Sequence, residues 1–249
     1  MYKILKNELW ALIPARGGSK SIPLKNMADL NNFPLLSYTL GAAVKTNVIS
    51  RIWCSTDHPQ IKNYCGKFNI SIINRPEGLS GDNVSTTDVI THAYNLFIQS
   101  GEIPEFLVLL EPTSPFIKSN DIEKSFEKIK KNADADSVQT IIEPPPNHHA
   151  LNQRVISNGL VEFRFYEERK NLFNKQLKPK FYVHGNCRIM RSESFLKNHD
   201  IYGKKSLGVI VSKLDAMDVD GPDDFALAEI VINSGLVSPV PIEEIKNEI

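Results

Sequence analysis

Apolar runs of strand length alternate with helix-patterned stretches along this 249-residue chain, and that alternation limits its folds more than any other feature. Residues 9–15, 51–56, 70–75, 106–112 and 137–143 read as strands. Between them, 35–46, 59–68, 85–100 and 120–132 carry apolar residues at helical spacing. Strand, helix, strand repeated in this way predicts an α/β fold: a Rossmann-like, mostly parallel sheet with helices on both faces. The run 106–112 is continuously apolar, as a central parallel strand must be when both of its faces are covered. Ser85 or Thr86 should cap the helix over 85–100, Asn120 or Asp121 the next one, and Asp223 or Asp224 a last helix over 223–235. In such sheets ligands bind beyond the carboxyl ends of the strands, which puts 15–26, 57–58, 75–83 and 112–118 on one rim.

Residues 144–185 break the rhythm. The stretch begins with three prolines and continues into the charged, strand-like "GLVEFRFYEERKN". It reads as an inserted arm in a main domain made of 1–143 and 186–249. The length suits one such domain. Twenty-nine cations balance twenty-nine anions, so any charge-based function must come from local clusters, and a general nucleic-acid binder is not expected. Cys54, Cys65 and Cys187 form no paired motif and read as reduced thiols of a cytoplasmic protein. No stretch is long and apolar enough for a membrane span, and the first residues do not resemble a cleavable leader.

Two clusters carry chemistry. The first is "ALIPARGGSKSIPLKN", residues 11–26, where Arg16, Lys20 and Lys25 surround Gly17-Gly18 just after a strand. A glycine loop leaving a strand exposes backbone N–H groups, and the cations add charge and donors, which together suit a polyphosphate. Pro23 keeps the loop non-helical, and neither common nucleotide-binding glycine motif is present. A solvated glycine turn with surface cations is the plainer alternative. The second cluster is "DAMDVDGPDD", residues 215–224. Side chains alternate along an extended segment, so Asp218 and Asp220 share a face and suit a divalent cation held together with phosphates. A purely acidic turn is the alternative here.

These segments, with "STD" at 55–57, "NRPEGLSGD" at 74–82, "LLEPTSPF" at 109–116 and "MDVDGPDDFALAE" at 217–229, resemble the ordered motifs of the acylneuraminate cytidylyltransferases, or CMP-sialic acid synthetases. The CMP-Kdo synthetases are similar at greater distance. The resemblance covers roughly residues 9–235. It implies the nucleotide-diphospho-sugar transferase type of fold and a homodimer whose 144–185 arm reaches the neighbouring active site. It also implies a reaction in which the anomeric hydroxyl of a nonulosonic acid attacks the α-phosphorus of CTP, giving a CMP-sugar and pyrophosphate.

By motif match, the resemblance places Ala15, Arg16, Gly17, Gly18, Ser19, Lys20, Lys25 and Asn26 around the CTP phosphates. Arg75, Asp82 and Ser85 would surround cytosine and ribose, and Asp218 and Asp220 would bind Mg²⁺ (or Mn²⁺). Arg16, Lys20 and Asp220 are the expected catalytic residues. On the sugar side it points to Glu111, Thr113, Ser114, His184 and Gly185. That half departs from the family pattern: Glu111 stands where glutamine is usual, Ile117 where arginine is common, and His184 where asparagine precedes the glycine. Lys118 is a candidate replacement for the arginine missing at 117. A glutamate beside the acceptor repels a carboxylate and welcomes hydroxyl or amino groups, which hints at a legionaminic- or pseudaminic-type acid. A CMP-Kdo-type acceptor and a non-catalytic nucleotide-binding protein remain as alternatives.

Overall fold

The computed structural model describes residues 1–172 and 174–248, built around a seven-stranded sheet. In chain order the strands are β1 (Lys3–Pro14), the short pair β2 (Asp29–Leu30) and β3 (Phe33–Pro34), β4 (Ile49–Thr56), β5 (Ser71–Asn74), β6 (Glu102–Leu110), β7 (Ser137–Ile142), β8 (Arg154–Ser157), β9 (Leu160–Phe163), β10 (Val183–Arg191) and β11 (Ser206–Ile210). The helices are α1 (Leu35–Val44), α2 (Pro59–Gly66), α3 (Thr86–Gln99), α4 (Ser119–Lys130), α5 (Tyr166–Arg169), α6 (Ser192–Asn198) and α7 (Pro222–Asn233). The large sheet runs β11-β7-β10-β6-β1-β4-β5. All its pairings are parallel except the two made by β10.

Strand β1 shows why the alternation folds this way. Leu9, Ala11 and Ile13 face the core beneath α1, α2 and α4, while Trp10 and Leu12 face the core shared with α3 and α6. All five are fully buried, so no polar position interrupts the strand. The strand starts earlier than its apolar run: Lys3–Glu8 extend it, with a register break and a left-handed Asn7 (φ 63°) marking the junction. Asparagine tolerates that conformation better than most residues. A third core joins α7 to β2 and α1, and it contains Val219 from the aspartate segment.

Some local expectations need correction. Helix α4 begins at Ser119 after Lys118 and has no side-chain cap; Asp121 lies buried in its first turn instead of capping it. The sequence 159–171 is not one strand: β9 ends at Phe163 and α5 follows. Arg154 and Arg169 stack on the Phe163 ring at 4.5 and 4.1 Å, which folds the chain back on itself. The Ser85 cap is as expected, whereas α7 starts at Pro222 with Gly221 at its N-cap and Asp224 acts from the third helical position. Ser85 Oγ accepts from Asp88 N at the start of α3, and Asp224 Oδ2 accepts from Gly221 N at the start of α7.

The described residues of segment 144–182 lie outside the large sheet and form the β8–β9 hairpin and short helical turns, whereas 183–185, expected in the arm, belong to β10. The three cysteines are buried and unpaired. Among the described residues, no helix is long and apolar enough to cross a membrane.

Candidate active site

The carboxyl ends of β1, β5 and β6 open onto a cavity of about 590 Å³, lined by Arg16, Gly18, Ser19, Lys20, Lys25, Asn26, Arg75, Asp82, Glu111, Thr113 and Asp220, among others. The two clusters singled out in the sequence therefore share one cavity. They also touch. Lys25 Nζ donates to Asp220 Oδ1 at 2.9 Å and to the Val219 carbonyl at 2.9 Å, and Ser21 Oγ donates to the Asp220 carbonyl at 2.5 Å.

The loop after β1 is held from several sides. Ala15 is fully buried, and its N–H donates to the Ser55 carbonyl, so it contributes backbone rather than a side chain. Gly17 N donates to Asp57 Oδ1 at 2.9 Å. A side chain on Gly17 would strike the His58 ring, with contacts of 2.7 Å, whereas a Cβ on Gly18 would meet open space. The first glycine is thus required by packing, and the second leaves room at the cavity wall. Asn26 Nδ2 donates to the Arg16 carbonyl, closing the loop into a curl. Arg75 is buried and anchored by Nη2 to the Ser55 carbonyl (2.8 Å) and by Nε to Ser55 Oγ (3.2 Å). Burial lowers the pKa of its guanidinium, with Asp57 opposing.

Asp82 stands close to the cations. Its Oδ1 is 2.9 Å from Arg16 Nη1 and its Oδ2 is 2.9 Å from Lys20 Nζ. Ser85, expected at the nucleoside, instead spends its hydroxyl on Asp88 as the α3 cap, and Thr86 of the same helix lines the cavity. Leu79, Val84 and Val89 form an apolar wall that motif reasoning missed. Their short apolar side chains sit in a turn-rich loop and a helix start, where spacing alone does not mark a binding wall.

Asp218 lies beside the cavity and Asp220 within its lining. Desolvation, then the charges of Asp220 and Glu111, hold the Asp218 carboxyl above the usual carboxylate range, while the nearby Thr113 hydroxyl and Lys25 pull it down. The side chain nevertheless keeps an exposed face. Crowded carboxylates of this kind fit a hard divalent cation. Among the described residues, no group of three or more histidine, cysteine or acidic side chains could form a metal cage, so a cation on this pair would depend on phosphate and water for its other ligands. Lys25 also stands beside the pair, so its ammonium offsets part of the carboxylates' charge.

The sugar-side residues divide. Glu111 and Thr113 line the cavity, while Ser114 is buried beneath it. His184 and Gly185 lie outside the lining, at the start of β10. A Cβ on Gly185 would come within 2.6 Å of Thr140 Oγ1, so this glycine answers to strand packing. Burial, with Arg188 adding to it, lowers the His184 pKa to about 4. Ile117 is a core residue, and Lys118 is paired with Asp215 at 2.8 Å rather than facing the cavity.

A family model described as Cytidylyltransferase matches residues 10–218. The chain belongs to this family. It is 26% identical over 224 residues to an N-acylneuraminate cytidylyltransferase of Escherichia coli, covering 90% of this chain and 52% of the relative. It is 28% identical over 225 residues to a CMP-N,N'-diacetyllegionaminic acid synthase of Legionella pneumophila, covering 88% and 94%. The chain thus spans about half the length of the Escherichia coli relative and nearly all of the Legionella one. Its fold is similar to that of CMP:2-keto-3-deoxy-manno-octonic acid synthetase complexed with CTP, with a TM-score of 0.66 at 16% identity, covering 92% of this chain and 99% of that one.

Proposed function

We propose that the chain is a nucleotidyltransferase that moves CMP from CTP to the anomeric hydroxyl of a sialic-type nonulosonic acid and releases pyrophosphate. The observation that carries this reading is the Lys25–Asp220 contact, which closes the basic loop onto the acidic segment along one cavity wall. A polyanion in that cavity would meet the loop's cations and, beside them, the carboxylates that would carry a divalent cation.

Phosphoryl-type transfer needs positioning and charge stabilisation more than covalent chemistry. Arg16 and Lys20 would bind the phosphates and stabilise charge on the departing pyrophosphate. Arg75 and the apolar wall of Leu79, Val84 and Val89 would hold the nucleoside. Asp218 and Asp220 would hold Mg²⁺ or Mn²⁺, which supplies charge neutralisation and a more acidic attacking hydroxyl. Lys25 keeps Asp220 aimed into the cavity.

For the acceptor, Glu111 on the cavity wall favours hydroxyl or acetamido N–H donors over a carboxylate at that point. With the Legionella relative covered almost end to end, this supports an N,N'-diacetyllegionaminic-type acid. We also read the segment outside the sheet, 144–182, as a homodimer arm. Its hairpin exposes Ile156, Leu160 and Val161, at 78%, 65% and 65% of their surface, a cost that a second copy would remove. The test is pyrophosphate release from CTP with Mg²⁺ and a panel of nonulosonic acids and Kdo. The reading expects the diacetylated diamino acid to be used best. Equal or greater activity with N-acetylneuraminate removes the Glu111 argument, and no release with any acid removes the activity.

A further inference from the structure

The two cations assigned to the phosphates already share an anion. Asp82 gives one carboxylate oxygen to Arg16 and the other to Lys20, each at 2.9 Å. A phosphate group would present itself to the same pair in the same manner, with one ionised oxygen for each cation. Asp82 comes from the loop between β5 and α3, far from residues 16–20 in sequence, and lines the same cavity.

The loop's own anchoring is at its ends. Arg75 N donates to the Thr56 carbonyl, and Ser85 caps α3. Between them, Gly78 and Gly81 have nothing within 4 Å of where a side chain would begin, so the tip packs against little. Among the described residues, Asp82 makes no other side-chain hydrogen bond or ion pair. Its partners keep its carboxyl below the usual carboxylate range, Lys20 first and Arg16 after it, so it is ionised at neutral pH. The contacts are accessible, with the Lys20 side chain 83% and the Asp82 side chain 40% exposed, and accessible ion pairs are weak enough for a ligand to break.

We propose that Asp82 is an internal phosphate mimic: it latches the 76–84 loop onto Arg16 and Lys20, and an incoming polyphosphate must displace it. The proposal rests on the phosphate-grip reading above. A polyanion with two or more ionised oxygens recovers both cation contacts as Asp82 leaves. A neutral sugar or a nucleoside recovers neither, and the latch stays shut.

The experiment is calorimetric titration of inorganic tripolyphosphate into the full chain at low ionic strength without divalent cations, with Asp82→Asn, Lys20→Gln and the double variant alongside. Tripolyphosphate has no base or ribose, so it reports on the grip alone. Removing the competitor should tighten binding in Asp82→Asn by roughly 3- to 10-fold, the range expected when two exposed ion pairs no longer oppose the ligand. Its affinity should also fall more steeply with added salt, because the grip then carries two net positive charges instead of one. Equal or weaker binding by Asp82→Asn, with its thermal melt unchanged, overturns the latch. Binding that Lys20→Gln leaves unchanged in both backgrounds, or no binding by any variant, overturns the grip reading instead and the latch with it.

Discussion

Replacing Lys25 by methionine keeps the length of the stem and removes the ammonium that ties the two halves of the cavity together. The wild-type Nζ has two partners, the Val219 carbonyl and Asp220 Oδ1, both at 2.9 Å. The Lys25 side chain is only 12% exposed, whereas the Asp220 side chain is 74% exposed. The ion pair itself is therefore worth little, about 0–1 kcal/mol for a largely solvated carboxylate. The carbonyl is the larger loss, because a part-buried acceptor left without its donor costs about 1–3 kcal/mol. The sum is a destabilisation of roughly 2 kcal/mol, or several degrees in melting temperature for a domain of this size. Guanidinium denaturation should show the midpoint falling with an unchanged m-value. A cycle with Asp220→Asn should return a small coupling, about 0.2–1 kcal/mol, confirming that the carbonyl dominates. CTP turnover should fall further than stability does, since Asp220 loses its orientation. A Lys25→Met protein with wild-type midpoint and turnover would refute the view that this contact closes the site.

His184 should titrate near pH 4 by NMR, because burial and Arg188 disfavour its charged form. Its folded value lies below the ordinary 6.5, so its contribution to stability is complete above about pH 6.5 and is lost as pH falls from there toward 4; His184→Gln should flatten that part of the acid-denaturation curve. A midpoint near 6.5 would contradict the placement. Gly185→Ala puts a methyl group 2.6 Å from Thr140 Oγ1, which already accepts from the N–H groups of Asn186 and Cys187. The expected cost is about 1–3 kcal/mol by denaturant melt, from overpacking alone. Val161→Asp on the hairpin should convert a dimer to a monomer in light scattering, and a wild-type monomer at all concentrations would end the homodimer proposal.

Much of the fold was legible because its signals are local. A strand covered on both faces must be apolar throughout, so β1 and β6 stood out, and helix starts such as Ser85 and Asp224 declare themselves through capping chemistry. The direction of β10 was not legible, because an antiparallel strand inside a parallel sheet has the same apolar pattern as its neighbours. The start of β1 was missed because Lys3, Ile4 and Leu5 pair with β6 but are cut off from the apolar run by the polar, unpaired Lys6–Glu8. At the site, residue types pointed to chemistry but not to partners. Lys25 meets Asp220 across 195 residues, and Asp82 meets Arg16 from a loop whose motif suggested the nucleoside. Only the folded sheet brings those ends together. Ser85 and Gly185 show the reverse: residues in family-like motifs whose visible duties are a helix cap and a close strand contact.

The account rests on one nucleotide being held between the basic loop and the Asp218–Asp220 segment. The affinity of CTP, measured by calorimetry with and without Mg²⁺, tests this most directly in the wild type and in Asp218→Asn/Asp220→Asn. Mg²⁺ should strengthen CTP binding to the wild type, and the strengthening should vanish in the double variant while its fold persists. A Mg²⁺ effect of the same size in both proteins would contradict the account.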